Sequence, residues 1–215
     1  MPAGAGREAA VRNATAIDRT AGLYAFAYER EPGEIAAGMR YRDEAMAANV
    51  DEWARRTGTK VLLSAHDAHV GYVPVDPVNY PKVQGAFLRD RLGDGYVSVA
   101  TTFGRGSFVA TGPDGTTVGH WTLGPPEPGG NEETLDRVRH QSYVLDLRTV
   151  GAPARAWLRA ARPTRSIGTA YPDDGPSDVA LARAHDVLIH LHEVTAAVLS
   201  TPGDPVARSC SGGAR

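Results

Sequence analysis

The segment Ala65-His66-Asp67-Ala68-His69-Val70-Gly71 holds the residue types best suited to chemistry. Two imidazoles three residues apart in a turn can face one cleft. Histidine moves protons near neutral pH more readily than any other side chain. It can also donate a hydrogen bond to a developing oxyanion. The spacing by itself leaves four readings open. The pair could be catalytic, could cap the local backbone, or could be exposed and inert. It could also hold two ligands of a metal, with Asp67 or Asp76 as a third. His190 and His192 flank Leu191, so on a strand they share one face and form a second candidate metal pair. His120-Trp121 reads as part of a surface loop.

Other chemistry has little support. The chain has no Gly-x-Ser-x-Gly nucleophile elbow, no Walker A motif and no Gly-x-Gly-x-x-Gly phosphate loop. Gly104-Arg105-Gly106 is too short for a phosphate loop and reads as a hairpin turn. Arg42 and Asn49 lie at helical spacing with Met46 and Trp53, beside an apolar stripe. A polar side chain there needs a partner. It serves either as a core-edge hydrogen bond or in the function.

The elements around these residues follow from periodicity. Residues 8–29 read as a helix whose face carries Val11, Ala14, Ile17, Ala21, Tyr24 and Tyr28. Pro32 and Gly33 end it. A second helix is expected from an N-cap at Asp43 to Gly58, burying Met46, Val50 and Trp53. Lys60 to Ala65 (KVLLSA) reads as a buried strand that delivers His66 at its carboxyl end. Further helices are expected at 82–92, near Glu132 and at 152–161. Strands are expected at 96–102 and 107–111 (paired through the glycines), 142–147 and 187–191. This order implies a layered α/β fold with a mostly parallel central sheet flanked by helices. Residues 1–200 read as one unit and 201–215 as a disordered tail.

Composition narrows the class. The chain has 215 residues, 42% hydrophobic and 22% charged, with a formal net charge of −2. No basic run points to nucleic acid or a membrane surface, and no stretch approaches the ~20 apolar residues of a membrane span. The single cysteine, Cys210, permits neither an internal disulfide nor a thiolate zinc site. A soluble protein of the reducing cytoplasm is the expectation.

The stretch from Tyr41 to Trp53 (YRDEAMAANVDEW) resembles the Arg-Asp…Met-Ala…Asn…Trp signature of the erythromycin esterase family. In that family a strand then leads to a His-Asn-x-His loop. Here the loop is His66-Asp67-Ala68-His69, with Asp in place of the usual Asn. Arg12-Asn13-Ala14, Leu92-Gly93-Asp94, Phe103-Gly104-x-Gly106, Arg165-Ser166-Ile167-Gly168 and Val194-Thr195-Ala196-Ala197 also match family segments. The resemblance implies an erythromycin-esterase-like fold and a hydrolase that uses no metal and no cofactor. Histidine-activated water would attack an ester or lactone, a macrolide lactone in the known resistance enzymes. It assigns catalysis to His66 and His69 and puts Arg42, Asp43 and Asp67 beside the substrate. Family members are about twice as long, and their N-terminal half supplies a Glu-x-x-His-Gly motif bearing the general base. That motif is absent here. The sequence therefore reads as the C-terminal half of such a domain, expected to self-associate or to need the missing half, and to hydrolyse poorly alone. Two alternatives remain: a non-catalytic fragment that binds a small molecule or a partner chain, and a metal-dependent hydrolase using His66 and His69.

Overall fold

The computed structural model describes residues 3–26, 33–172 and 175–199, with side chains from residue 6 onward. Tyr28, Pro32, Cys210 and the 201–215 tail lie outside the described residues. Helices α1 (Ala3–Tyr24) and α2 (Glu34–Thr57) open the chain. A one-turn helix α3 (Asp67–Val70) and helix α4 (Gln84–Leu92) follow. Strands β1 (Val99–Thr111) and β2 (Val118–Leu123) precede α5 (Asn131–Asp136), β3 (Ser142–Asp146) and α6 (Ala152–Leu158). The short strands β4 (Arg162–Thr164) and β5 (Ser177–Val179) pair with each other, and α7 (Leu181–Ala184) leads into β6 (Val187–Val194).

The fold is α/β, with a central sheet flanked by helices as expected. The sheet order is β2-β1-β6-β3. Its strand directions are mixed. β1 and β6 run parallel, and each has an antiparallel neighbour on its outer side. The antiparallel β1–β2 pair closes through a tight turn in which Asp114 caps the amides of Thr116 and Thr117. This turn is where the chain reverses. The glycines at 104 and 106 do not form a turn; β1 runs unbroken through them. A Cβ on Gly104 would lie 2.7 Å from the His192 carbonyl oxygen and would overlap Asp136. Gly106 has φ of 129° and sits against the Val194 backbone. These two positions are small because another backbone approaches closely.

One core packs Ala100, Leu135, Leu147, Leu158, Leu181 and Leu188 between the sheet and helices α5, α6 and α7. A second, smaller one packs Ala47, Phe87 and Leu88 between α2 and α4. α4 buries Val83, Phe87 and Leu88 as its pattern predicts, and Gly93 ends it. α2 ends at Gly58 in the left-handed conformation with φ of 63°. Its start differs from expectation. The helix begins at Glu34, and Asp43 lies within it, fully buried. The inward face carries Asp43, Ala47 and Asp51, while Trp53 is 55% exposed beneath the Arg56 guanidinium.

Two apolar segments also depart from expectation. The α1 stripe faces outward, with Ile17 and Tyr24 exposed. That helix is tied to α2 by Arg19, which bonds Asn49 and, at 2.6 Å, Glu52. Lys60–Ala65, expected as a buried strand, forms no strand and pairs with none among the described residues, and Leu62 is 96% exposed. No helix among the described residues is long and apolar enough to cross a membrane.

Candidate active site

The loop that follows Lys60–Ala65 tightens into α3, and His66 is the residue that caps it. His66 Nδ1 accepts the Ala68 amide at 3.3 Å. A ring nitrogen that accepts carries no proton, so the proton of neutral His66 sits on Nε2. That N–H donates to the Ile167 carbonyl at 2.9 Å. His69, one turn later, has a different partner. Its Nδ1 lies 2.8 Å from Asp43 Oδ1. The carboxylate accepts that N–H, which leaves Nε2 of His69 as the acceptor. Asp43 Oδ1 also accepts the Gln84 amide at 2.9 Å. The Asp43 side chain therefore holds the ring of His69 from a fully buried position and does not itself face the substrate space.

The base of this loop is fixed by packing. A Cβ on Gly85 would overlap the carbonyl oxygens of Val70 and Gly71, so α4 touches the loop directly. Ser98 Oγ donates to the Val70 carbonyl at 2.8 Å and accepts from His185 Nδ1 at 2.9 Å. Burial pushes His185 down to about 4, so it is neutral there. Tyr72 bonds the Asp186 carboxylate, and Tyr96 donates to the Val70 carbonyl at 2.7 Å. These contacts join the histidine loop to the starts of β1 and β6.

Two cavities border this loop, and a third adjoins them at Ser166. The first, of about 260 Å³, lies among His66, Asp67, Thr101, Phe103, Glu132 and Arg165. The second, of about 540 Å³, is lined by Arg42, His66, His69, Asp76, Tyr80 and Ser166. The third, of about 200 Å³, is more apolar, with Leu123, Pro128, Pro163 and Tyr171 beside Glu132 and Arg165. His66 borders the first two, and Ser166 borders all three. The expected grouping of His66, His69 and Arg42 around one concavity is thus found. The Tyr80 ring stands edge-on to His69, 6.0 Å between centroids.

Asp67 lines the first cavity and also ties the loop to β1. Its Oδ2 accepts the Thr101 amide at 2.9 Å, and burial pushes its carboxyl up. Two further groups escaped the sequence reading. Glu132, almost fully buried, accepts the Arg165 amide at 3.1 Å, and burial pushes its carboxyl up too. The Arg165 guanidinium donates to the carbonyls of Gly104 (2.7 Å), Gly124 (3.3 Å) and Pro125 (2.9 Å). These carbonyls hold the guanidinium at the junction of the first and third cavities, where its charge also acts on the Glu132 carboxyl. Neither residue could be found from spacing alone, because Glu132 and Arg165 meet through contacts 33 residues apart. The one available signal was the Arg-Ser-x-Gly segment of the resemblance.

His190 and His192 do share a face of β6, but their common partner is a carboxylate. Asp136 Oδ1 accepts from His190 Nε2 at 3.2 Å and from His192 Nδ1 at 2.7 Å. Burial pushes the Asp136 carboxyl up, and the bonds from His192 and His190 outweigh it, holding it below the ordinary carboxylate value. Among the described residues no three His, Cys, Asp or Glu side chains converge as metal ligands would. His120 lies on β2 opposite Val109.

The comparisons agree with this architecture. Residues 2–194 match the family model described as erythromycin esterase. A Bacillus cereus protein of solved structure is 26% identical with a TM-score of 0.76, over 86% of this chain and 44% of its own. A succinoglycan biosynthesis protein is 26% identical with a TM-score of 0.69, over 74% of this chain and 40% of its own. A mutant erythromycin esterase, EreC, in its open conformation, shares the fold at 16% identity and a TM-score of 0.52, over 76% of this chain and 40% of its own. The chain thus spans less than half the length of each. No curated protein matches it.

Proposed function

We propose, because the chain belongs to the erythromycin esterase family, that its cleft binds an ester or lactone and takes part in hydrolysing it by water attack. The observation that carries this is the pair of opposite histidine states beside one cavity: His69 with an accepting Nε2, His66 with a donating Nε2–H. His69 Nε2 takes a proton from water as the water oxygen bonds to the carbonyl carbon. The tetrahedral oxyanion is met by the Arg42 guanidinium and by the His66 N–H once it leaves the Ile167 carbonyl. As the ester C–O bond breaks, the proton on His69 passes to the departing alkoxide. Asp43 keeps the ring in the required tautomer throughout. The apolar third cavity suits the carbon body of the substrate. A macrolide lactone is one candidate within this class.

The test is binding of an aryl phosphonate monoester, a tetrahedral anion that mimics the intermediate. We expect calorimetric binding that weakens about tenfold or more in Arg42→Ala and His66→Ala, the loss of one charge-assisted hydrogen bond. No binding by the folded chain would overturn the reading. Hydrolysis of an aryl ester and a macrolide, with His66→Ala and His69→Ala as controls, separates it from a second reading. In that second reading these residues bind the ester without turning it over. It is favoured by the fraction of the relatives' length that the chain spans. Phosphonate binding without turnover would point to it.

A further inference from the structure

Residues 60–66 and the first half of β1 run side by side in the same direction without bonding as strands. Thr59 to Leu63 and Gly95 to Val99 face each other across an apolar cavity of about 450 Å³. Further along, Ala65 to Asp67 and Thr101 to Phe103 face each other across the first active-site cavity. β1 pairs with β6 along one edge from Val99, but β2 covers its other edge only from Gly106 onward. At the one point where the two segments bond, the Asp67 side chain, not a main-chain carbonyl, takes the Thr101 N–H. Val99 and Phe103 turn their main-chain groups to the same open edge as Thr101, since alternate residues do. Val61, Leu62, Val97 and Val99 along the lips are all more than two fifths exposed. A strand edge and an unpaired neighbouring segment that leave their polar groups open, with apolar side chains between them, form a template for another strand.

We infer that this groove is a slot for one β-strand from the part of the erythromycin esterase fold that lies outside these 215 residues. The strand lies parallel to both lips and completes the sheet across them. The choice of occupant rests on two observations. The solved relatives devote 56–60% of their length to residues that this chain does not cover, since it spans 44% and 40% of them. The slot also runs directly into the proposed site. A parallel strand seated in it ends beside His66, Asp67 and Glu132, where strand carboxyl ends present their loops to ligand. The loop after the strand would then add its side chains to that cavity. The inference rests on the proposed function only for this last step; the seating itself does not depend on catalysis.

Amide hydrogen exchange tests it. The chain is measured alone and mixed with a polypeptide carrying the portion of the Bacillus cereus relative that it does not cover. Amides of 61–63 and Val99, on the stretch before the Asp67–Thr101 bond, are expected to exchange rapidly alone and to slow by about tenfold or more in the mixture. Leu62→Glu and Val99→Glu, at exposed positions, should melt like wild type and lose that protection. Absence of protection in the mixture would overturn the proposal. So would full protection in both variants, because the partner would then sit elsewhere. Protection of the lips that rises with the concentration of the chain alone would assign the slot to a second copy and also overturn it. Because exchange needs no turnover, a seated strand together with failed phosphonate binding would retain this inference and discard the hydrolytic reading.

Discussion

His69 Nδ1 lies 2.8 Å from Oδ1 of Asp43, a carboxylate with no solvent exposure on the middle of α2. The next shortest route between them along the chain is 26 residues. This contact makes the middle of a helix, not a loop, the element that orients the histidine.

The two loop histidines should therefore be opposite tautomers while neutral. Proton–nitrogen correlation spectra should show His69 protonated at Nδ1 and His66 at Nε2. Asp43→Ala should release the first and leave the second, and lower the unfolding free energy by about 2 kcal/mol or more, because the Gln84 amide and His69 lose a buried acceptor. The same tautomer at both rings would contradict the assignment.

Gly85→Ala is expected to destabilise the chain by about 1–3 kcal/mol in denaturant unfolding, since its Cβ would overlap two carbonyl oxygens at the end of the histidine loop. The damage should be local first: the His69 resonances should broaden or shift while those of Leu188 stay in place. A neutral effect would mean that α4 does not press on the loop.

Acid should weaken the fold partly through His185. Its folded value, about 4, lies below the ordinary 6.5, so the unfolded chain binds the proton first as pH falls. The stability it contributes is complete above about 6.5 and is lost as pH falls towards 4, at most about 3 kcal/mol. His190, pushed down by burial, acts in the same direction. Asp67 and Glu132, pushed up, act in the opposite one. Comparing wild type with His185→Asn cancels those contributions. Asparagine keeps a donor for Ser98, so the variant should show the shallower fall in unfolding free energy between pH 6.5 and 4. Equal slopes would show that His185 does not titrate this way.

Elements whose pattern is local were legible in the sequence. α4, β3, β6 and the Gly58 end of α2 needed only periodicity and a terminating glycine. The pattern misled where a distant group set the outcome. Asp43 has the residue type of a helix cap, yet its partner is His69 on another element. Gly104 and Gly106 have the type of a turn, yet they are small to admit Asp136 and the Val194 backbone. The apolar residues of α1 and of Lys60–Ala65 imply burial, and the described residues bury only part of them, such as Leu63 against the α2–α4 cluster. The site was half legible for the same reason. His66, His69 and Arg42 belong to contiguous motifs, whereas Glu132 and Arg165 join the cleft only through the folded turns between them.

Arg165 grips its loop by main-chain carbonyls alone, at Gly124 and Pro125 on one side and Gly104 on the other. Every residue type carries a carbonyl. The side chains between Leu123 and Gly130, some of which wall the apolar cavity, can therefore be exchanged without untying the loop from the sheet. Selection can retune what that wall accepts one residue at a time, while the position of the wall stays inherited.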